Sequence, residues 1–361
     1  MRASTIQFLT YAASMASYTF IPLLANELNA SKFEVGIIVA VYGLAFLLSS
    51  YVFGRFADIH ERELILRSGL IISAITFFMQ IFIVDKITLL IIRILNGISI
   101  GIYPSALISH VHDRKKKIGR FSSYGSLGWA FGTFIAGIVT SYHGIFILSS
   151  FLFFIAFFLS FKLKMTHEKI SVPFFPVKLI RKNFSVYLAF FFRYLGAMSI
   201  WAVFPLYLFS LGADKFWIAM LYVVNYLTQF IFMRISDKFK SEKIIYIGLA
   251  LSTFVFFLYS LTKSYTEVIP IQILLGISWA FLYVGSLIYL MDRNVEKATS
   301  IGIFNSITAL SSVVGPFFGG FISEVFSFRE LMYFASILSA FGFFIFFRRY
   351  MKIVKINSVF S

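Results

Sequence analysis

Long apolar runs broken by short polar stretches recur along the whole chain. Reading between the polar breaks gives twelve runs: 5–26, 34–53, 64–84, 88–109, 119–141, 143–163, 184–211, 214–233, 243–262, 266–290, 299–322 and 328–349. About 20 residues suffice to cross a hydrocarbon core about 30 Å thick as an α-helix, so the pattern predicts twelve transmembrane helices. A membrane β-barrel would alternate apolar and polar positions over segments of about ten residues, whereas runs such as 151–158 are almost continuously apolar. The first run follows only Met1 and Arg2, is about twice the length of a signal-peptide core, and shows no small-residue cleavage site, so it is expected to be a retained span.

Composition agrees. Of 361 residues, 59% are hydrophobic and only 13% charged, against roughly 45–50% and about 25% in soluble domains. There is no cysteine, which excludes disulfides, thiolate metal sites and cysteine nucleophiles. The net charge of +16 would suggest nucleic acid in a soluble chain. Here the basic residues alternate by loop: 25 fall on one side of the twelve-span arrangement, 5 on the other (Lys32, Lys86, Lys215, Lys263, Arg329) and 2 within spans (Arg93, Arg193). That asymmetry is expected to place both termini and the central 164–183 segment in the cytoplasm, as a multi-pass protein of the cell membrane, and removes nucleic acid as a partner. No G-x-x-x-x-G-K-[ST] loop is present, so the chain holds no ATP motor of that type.

The two halves repeat in register. Asp58 and Asp237, Arg93 and Gln272, Gly97 and Gly276, Asp113 and Asp292, and Arg114 and Arg293 are all separated by one constant offset. Pro22 and Pro205, Phe33 and Phe216, and Gly132 and Gly315 share a second offset, slightly longer. The expected organisation is therefore an N-terminal six-helix bundle (1–163), a central loop (164–183) carrying Pro173 and Pro176, and a C-terminal six-helix bundle (184–361). Two such repeats are how many carriers build alternating access.

On these residues the chain resembles the major facilitator superfamily over its whole length. The loop after the second run, with Gly54, Asp58 and Arg62, is similar to the family's G-x-x-x-D-[RK]-x-G-[RK]-[RK] motif, from which Ile59, Glu61 and Glu63 depart. Its second copy keeps Asp237 and Lys238 but has Met233 in the place of the glycine. A carboxylate there, set against the positive end of a helix, would act as a releasable clasp. Arg93, Asn96 and Gly97 resemble the family's R-x-x-[Q]-G motif. Gly128, Gly132, Thr133 and Gly137 in the fifth run, and Gly315, Pro316, Gly319 and Gly320 in the eleventh, resemble its antiporter motif. Small residues four apart bring helix backbones close, and Pro316 is expected to bend its helix.

The resemblance implies an all-α membrane fold in which the first, fourth, seventh and tenth spans surround a central path. Polar and aromatic side chains recur on these spans at helical spacing: Thr10, Ser14, Ser17 and Tyr18; Arg93, Asn96 and Tyr103; Arg193 and Trp201; Gln272, Trp279, Tyr283 and Ser286. Tyr222, Asn225 and Gln229 in the eighth span are spaced likewise. None of the 16 carboxylates falls at mid-membrane, which weighs against a buried proton-carrying acid. The His110-Val111-His112-Asp113 run is too short for a metal site, and no catalytic constellation, cofactor box or metal cluster is present.

The expected function is secondary active or facilitated transport of a small organic solute, without a cofactor, by a monomer in the lipid bilayer, with H+ or Na+ as the coupling ion where there is one. The antiporter-like motif leans towards export. Arg193 near mid-membrane, with Arg93, leans towards an anionic solute. Import of a sugar or carboxylate, and a transport-inactive sensor or assembly protein with a carrier fold, are the alternatives.

Overall fold

The computed structural model describes residues 2–30, 32–113, 117–139, 141–165, 175–213 and 215–359. Arg114, Lys115, Lys116 and Pro173 lie outside these, as do the side chains of Pro22, Phe33, Pro205 and Phe216 among the repeat landmarks. The described residues form α1 (Arg2–Glu27), α2 (Lys32–Ile59), α3 (Arg62–Phe78), α4 (Lys86–Ile102), α5 (Pro104–Asp113), α6 (Ile118–Val139), α7 (Tyr142–Ser160), α8 (Val177–Ser210), α9 (Lys215–Ser236), α10 (Ser241–Tyr259), α11 (Tyr265–Arg293), α12 (Lys297–Val325) and α13 (Phe328–Val359).

Helices are the expected answer to an apolar solvent, since every backbone N–H and C=O then finds a partner within its own segment. Among the described residues nine segments are long and apolar enough to cross a membrane, α4 and α5 counting as one of them. The break between α4 and α5 falls at Tyr103, where Pro104 lacks an N–H and opens a new helix instead of continuing the old one. At the other end of α4, Asp85 caps the helix by accepting from Ile87 N and Thr88 N. α8 begins at Val177, several positions before the apolar run suggests. Its first turns are amphipathic, with Leu179 buried and Lys178, Arg181 and Lys182 exposed, so they extend the helix without extending the apolar stretch.

The chain packs as two units. The first comprises 1–176 with 293–313, the second 177–292 with 314–361, so that α12 is shared. In the first unit α1 runs along α6 and α7, α2 along α4, and α3 along α7 and α4. One end of it is marked by Arg2 Nη1 donating to the Lys162 carbonyl (2.8 Å) and Met165 N donating to Glu63 (2.7 Å). The opposite end is marked by the Lys86–Glu34 ion pair (2.6 Å) and by Tyr142 OH donating to Glu27 (2.6 Å). In the second unit α13 packs against α8 and α10.

The internal repeat reappears as repeated contacts. In the first unit Gly97 of α4 faces the Tyr42 carbonyl and Ala45 Cβ of α2; in the second, Gly276 of α11 faces the Asn225 carbonyl and Thr228 Cβ of α9. The two glycines are equivalent by the first repeat offset, and the residues they face are equivalent by the second. Ser99 of α4 is hydrogen-bonded to Thr76 of α3, and its repeat equivalent, Ser278 of α11, to Ser252 of α10. One helix-crossing geometry is thus used twice.

A side chain at either crossing would collide with backbone. Gly97→Val and Gly276→Val are each expected to cost about 1–3 kcal/mol through overpacking. Thermal unfolding of the purified protein reads this as a lowered melting temperature for both variants, and an unchanged value for either would show that crossing to be looser than described.

Candidate functional site

The most connected polar site lies in the first unit, where α2, α3, α5 and the start of α12 meet. Asp58, next to last in α2, is fully buried. Its Oδ2 accepts from Thr299 N (2.7 Å) and Thr299 Oγ1 (2.8 Å), and its Oδ1 from Ala298 N (3.3 Å) and Arg62 Nη2 (3.2 Å). Ala298 and Thr299 are the second and third residues of α12, whose first N–H groups have no partner within the helix. A carboxylate from a helix far away in the sequence supplies that partner and meets the positive end of the helix dipole. Arg62 continues the network, donating Nε to the Ala57 carbonyl (3.2 Å) and Nη1 to Asp113. Asp113 closes it by pairing with Lys297 Nζ (2.6 Å), the first residue of α12. Two carboxylates and two cations thus form a ring that starts and ends on α12. Gly54, one turn before Asp58, allows the approach: a Cβ there would lie 2.6 Å from Gly302 Cα.

Of the residues marked in the sequence, Gly54, Asp58 and Arg62 are therefore brought together. Asp113, Lys297 and Thr299 complete the ring, and none of them carries a gate signal in the sequence. Asp113 shows there as a repeat landmark and as the end of the His110–Asp113 run. In the second unit Asp237 lies half-buried on the turn after α9, Lys238 beside it is exposed, and Met233 is buried.

Two arginines, Arg93 and Arg193, are almost fully buried within their helices. Every described carboxylate, by contrast, lies in or beside the first or last turn of its helix. Arg93 is two turns into α4, about 10 Å at 1.5 Å per residue, and is 1% exposed, so it does not snorkel to an interface. Its guanidinium lies 4.0 Å from the Tyr42 ring centroid and 5.7 Å from that of Tyr18. Its Nε and Nη2, and both amide atoms of Asn96 one turn on, are buried without a hydrogen-bond partner among the described residues. Arg193, midway along α8 and 2% exposed, donates Nε to Ser252 Oγ (2.8 Å) and rests against the rings of Trp279 (5.1 Å) and Phe256 (5.4 Å).

The remaining marked residues group in the second unit. Asn225 donates Nδ2 to the Gln272 carbonyl (3.0 Å), and Gln229 donates to Asn225 Oδ1 (2.6 Å). The side-chain amide of Gln272 is buried without a partner among the described residues. Trp279 stacks between Tyr194 and Tyr283, while Trp201 packs on Phe204 and Tyr222. Thr10, Ser14 and Ser17 are used locally: the first two bond carbonyls one turn back, and Ser17 donates to Gln80 (2.8 Å). The glycine ladders are contact surfaces. Gly128 and Gly132 of α6 meet α1 backbone, Gly315 and Gly319 of α12 meet α8, and an added Cβ at Gly320 would meet nothing within 4 Å. Pro316 is accommodated inside α12.

Comparison with known proteins places these features in a family. The model of the Major Facilitator Superfamily matches residues 3–311 and 186–358. The multi-drug resistance efflux pump PmrA of Streptococcus pneumoniae is 24% identical over 93% of this chain and 92% of its own. Multidrug resistance protein 1 of Bacillus subtilis is 24% identical over 89% and 88%. Among solved structures, the human organic anion transporter MFSD10 (TETRAN) superposes with a TM-score of 0.76 over 96% of this chain and 99% of its own; at 14% identity it shows the fold alone.

Removing one member of a buried ionic network leaves the others desolvated and unpaired, which costs about 3–5 kcal/mol. Asp58→Ala is expected to lower the melting temperature of the purified protein accordingly. Asp58→Asn, which keeps one acceptor for the α12 N–H groups, should lower it less. Equal stability of Asp58→Ala and the parent would contradict the ring.

Proposed function

The chain belongs to the Major Facilitator Superfamily, and on that premise we propose that it exports small organic anions from the cell by alternating access of two six-helix repeats, 1–163 and 184–361, joined by the 164–183 segment. Export is supported by a relative named as a multi-drug resistance efflux pump, by another named as a multidrug resistance protein, and by the antiporter-like glycine ladders. The observation that carries the transport reading is the closed ring Asp58–Arg62–Asp113–Lys297 on the N-terminus of α12.

Such a contact has two discrete states. Closed, it neutralises four charges and satisfies two helix N–H groups. Open, those groups return to water, so the cost of opening is moderate for a ring at a helix end. With 25 basic residues on its side of the chain, the ring is assigned to the cytoplasmic face. Solute and coupling ion, H+ or Na+, then drive the cycle by binding one state more tightly than the other.

The anionic preference rests on the positive charge deeply buried within the helices, at Arg93 and Arg193. Solute contacts are assigned to Arg93 and Asn96 in the first unit. In the second they are assigned to the Asn225–Gln229–Gln272 amides with Trp201, Trp279 and Tyr283, while Arg193 is held by Ser252. The protein acts as a carrier with no covalent step and no cofactor.

Proteoliposomes challenged with a panel of organic acids, amines and neutral solutes test this directly. At least one acid should move faster than in protein-free vesicles, and Asp58→Asn should slow that flux about tenfold, the effect of about 1.4 kcal/mol on the conformational step. Movement of amines alone, or of no solute in the panel, would overturn the reading.

A further inference from the structure

We propose that Arg93, Asn96 and Tyr18 form a binding site for the carboxylate of an aromatic organic acid, so that Arg93, and not Arg193, holds the charge of the solute. The inference deepens the anion reading above and rests on it only for how such an acid reaches the site.

The two arginines differ in what already satisfies them. Arg193 is engaged by Ser252, whose hydroxyl is in turn hydrogen-bonded to Ser278, and the Ser278 hydroxyl donates to the Gly248 carbonyl (3.0 Å). Two ring faces cover its guanidinium. It is tied into α10 and α11 of its own unit. Arg93 has two buried N–H-bearing nitrogens with no acceptor among the described residues, beside an Asn96 amide in the same condition. A buried guanidinium without an acceptor is costly, and a carboxylate is the acceptor whose geometry matches its fork. The carboxylates on α1 and α2 and at the start of α4, namely Glu27, Glu34, Asp58 and Asp85, all lie at helix ends.

The internal repeat supplies a control. The position equivalent to Arg93 in the second unit is Gln272, and the position equivalent to Tyr42 is Asn225, which closes the same helix crossing through a neutral hydrogen bond to the Gln272 carbonyl. A cation is therefore not needed to build this junction. The first unit carries one where the second makes do with amides, which points to a ligand and not to packing.

The rings define the rest of the solute. Tyr42 lies against the guanidinium, 4.0 Å from its ring centroid, while Nε and Nη2 remain as the fork for an acid. Tyr18 is 40% exposed and belongs to the same cluster, 6.4 Å from Tyr42 between centroids. Its open face is the surface here on which a planar ring attached to the carboxylate can stack. A benzoate-like anion fits both demands.

Purified protein tests this without transport. Binding of benzoate, benzamide and cyclohexanecarboxylate is measured by titration calorimetry on the parent, Arg93→Gln, Arg93→Lys, Tyr18→Ala and Arg193→Gln, each first checked for an intact melting transition. Benzoate should bind the parent, and benzamide should not. Arg93→Gln should abolish benzoate binding. Arg93→Lys, which keeps the charge but loses the fork, should weaken it about tenfold. Arg193→Gln should stay within about threefold of the parent. Tyr18→Ala should erase the preference for benzoate over cyclohexanecarboxylate. Parent protein that ignores benzoate, or Arg93→Gln that binds it like the parent, overturns the site. Benzoate bound through Arg93 while no solute of the panel moves in vesicles would leave the site standing and remove the transport reading instead.

Discussion

The buried carboxylate of Asp58 against the first N–H groups of α12 is the interaction on which the arrangement of the first unit turns. A helix end away from water needs partners for its N–H groups, and α12 finds them in α2. This contact, with the Gly54–Gly302 approach and the bond from Ser306 Oγ to the Leu47 carbonyl (2.8 Å), is why 293–313 packs with 1–176. The same contact carries charge. Its desolvation is offset only while Arg62, Asp113 and Lys297 stay in place, so the ring is stable as a whole and weak once one member leaves.

Duplication gives the protein two copies of one scaffold, and the proposed solute contacts fall where the copies differ. The glycine crossings and serine pairs recur nearly unchanged. The polar residues between them do not. Arg93 with two tyrosine rings in one unit corresponds to a chain of amides in the other. Gly54, whose missing side chain allows the close approach to Gly302, corresponds to Met233, which is buried. Shared packing with divergent polar content is what a fold needs to bind an asymmetric solute on a symmetric frame.

Much of the helical fold is legible in the sequence because the bilayer simplifies the problem: apolar length alone predicts the helices. Where legibility ends, the signal is not in hydropathy. The first turns of α8 are charged on one face, and the break at Tyr103 depends on the missing N–H of Pro104. The site is legible in parts. Asp58 and Arg62 stand in a recognisable loop. Lys297 and Thr299 belong to the ring only because folding brings α12 back to α2, and no local pattern announces this. From depth alone Arg193 reads as the stronger anion ligand. Its partner Ser252 comes from a separate helix, α10, and shows how depth and availability differ.

In the proposed cycle the α2–α12 junction opens and closes as solute is carried. The chain has no cysteine, so spin labels at Glu61→Cys and Val295→Cys, the latter position 73% exposed, report one distance across that junction by pulsed electron resonance. In lipid two distance populations are expected, with a transported acid changing their ratio and Asp58→Asn shifting it towards the longer distance. A single distance, unmoved by solute and by the substitution while the same preparation still transports, would contradict it.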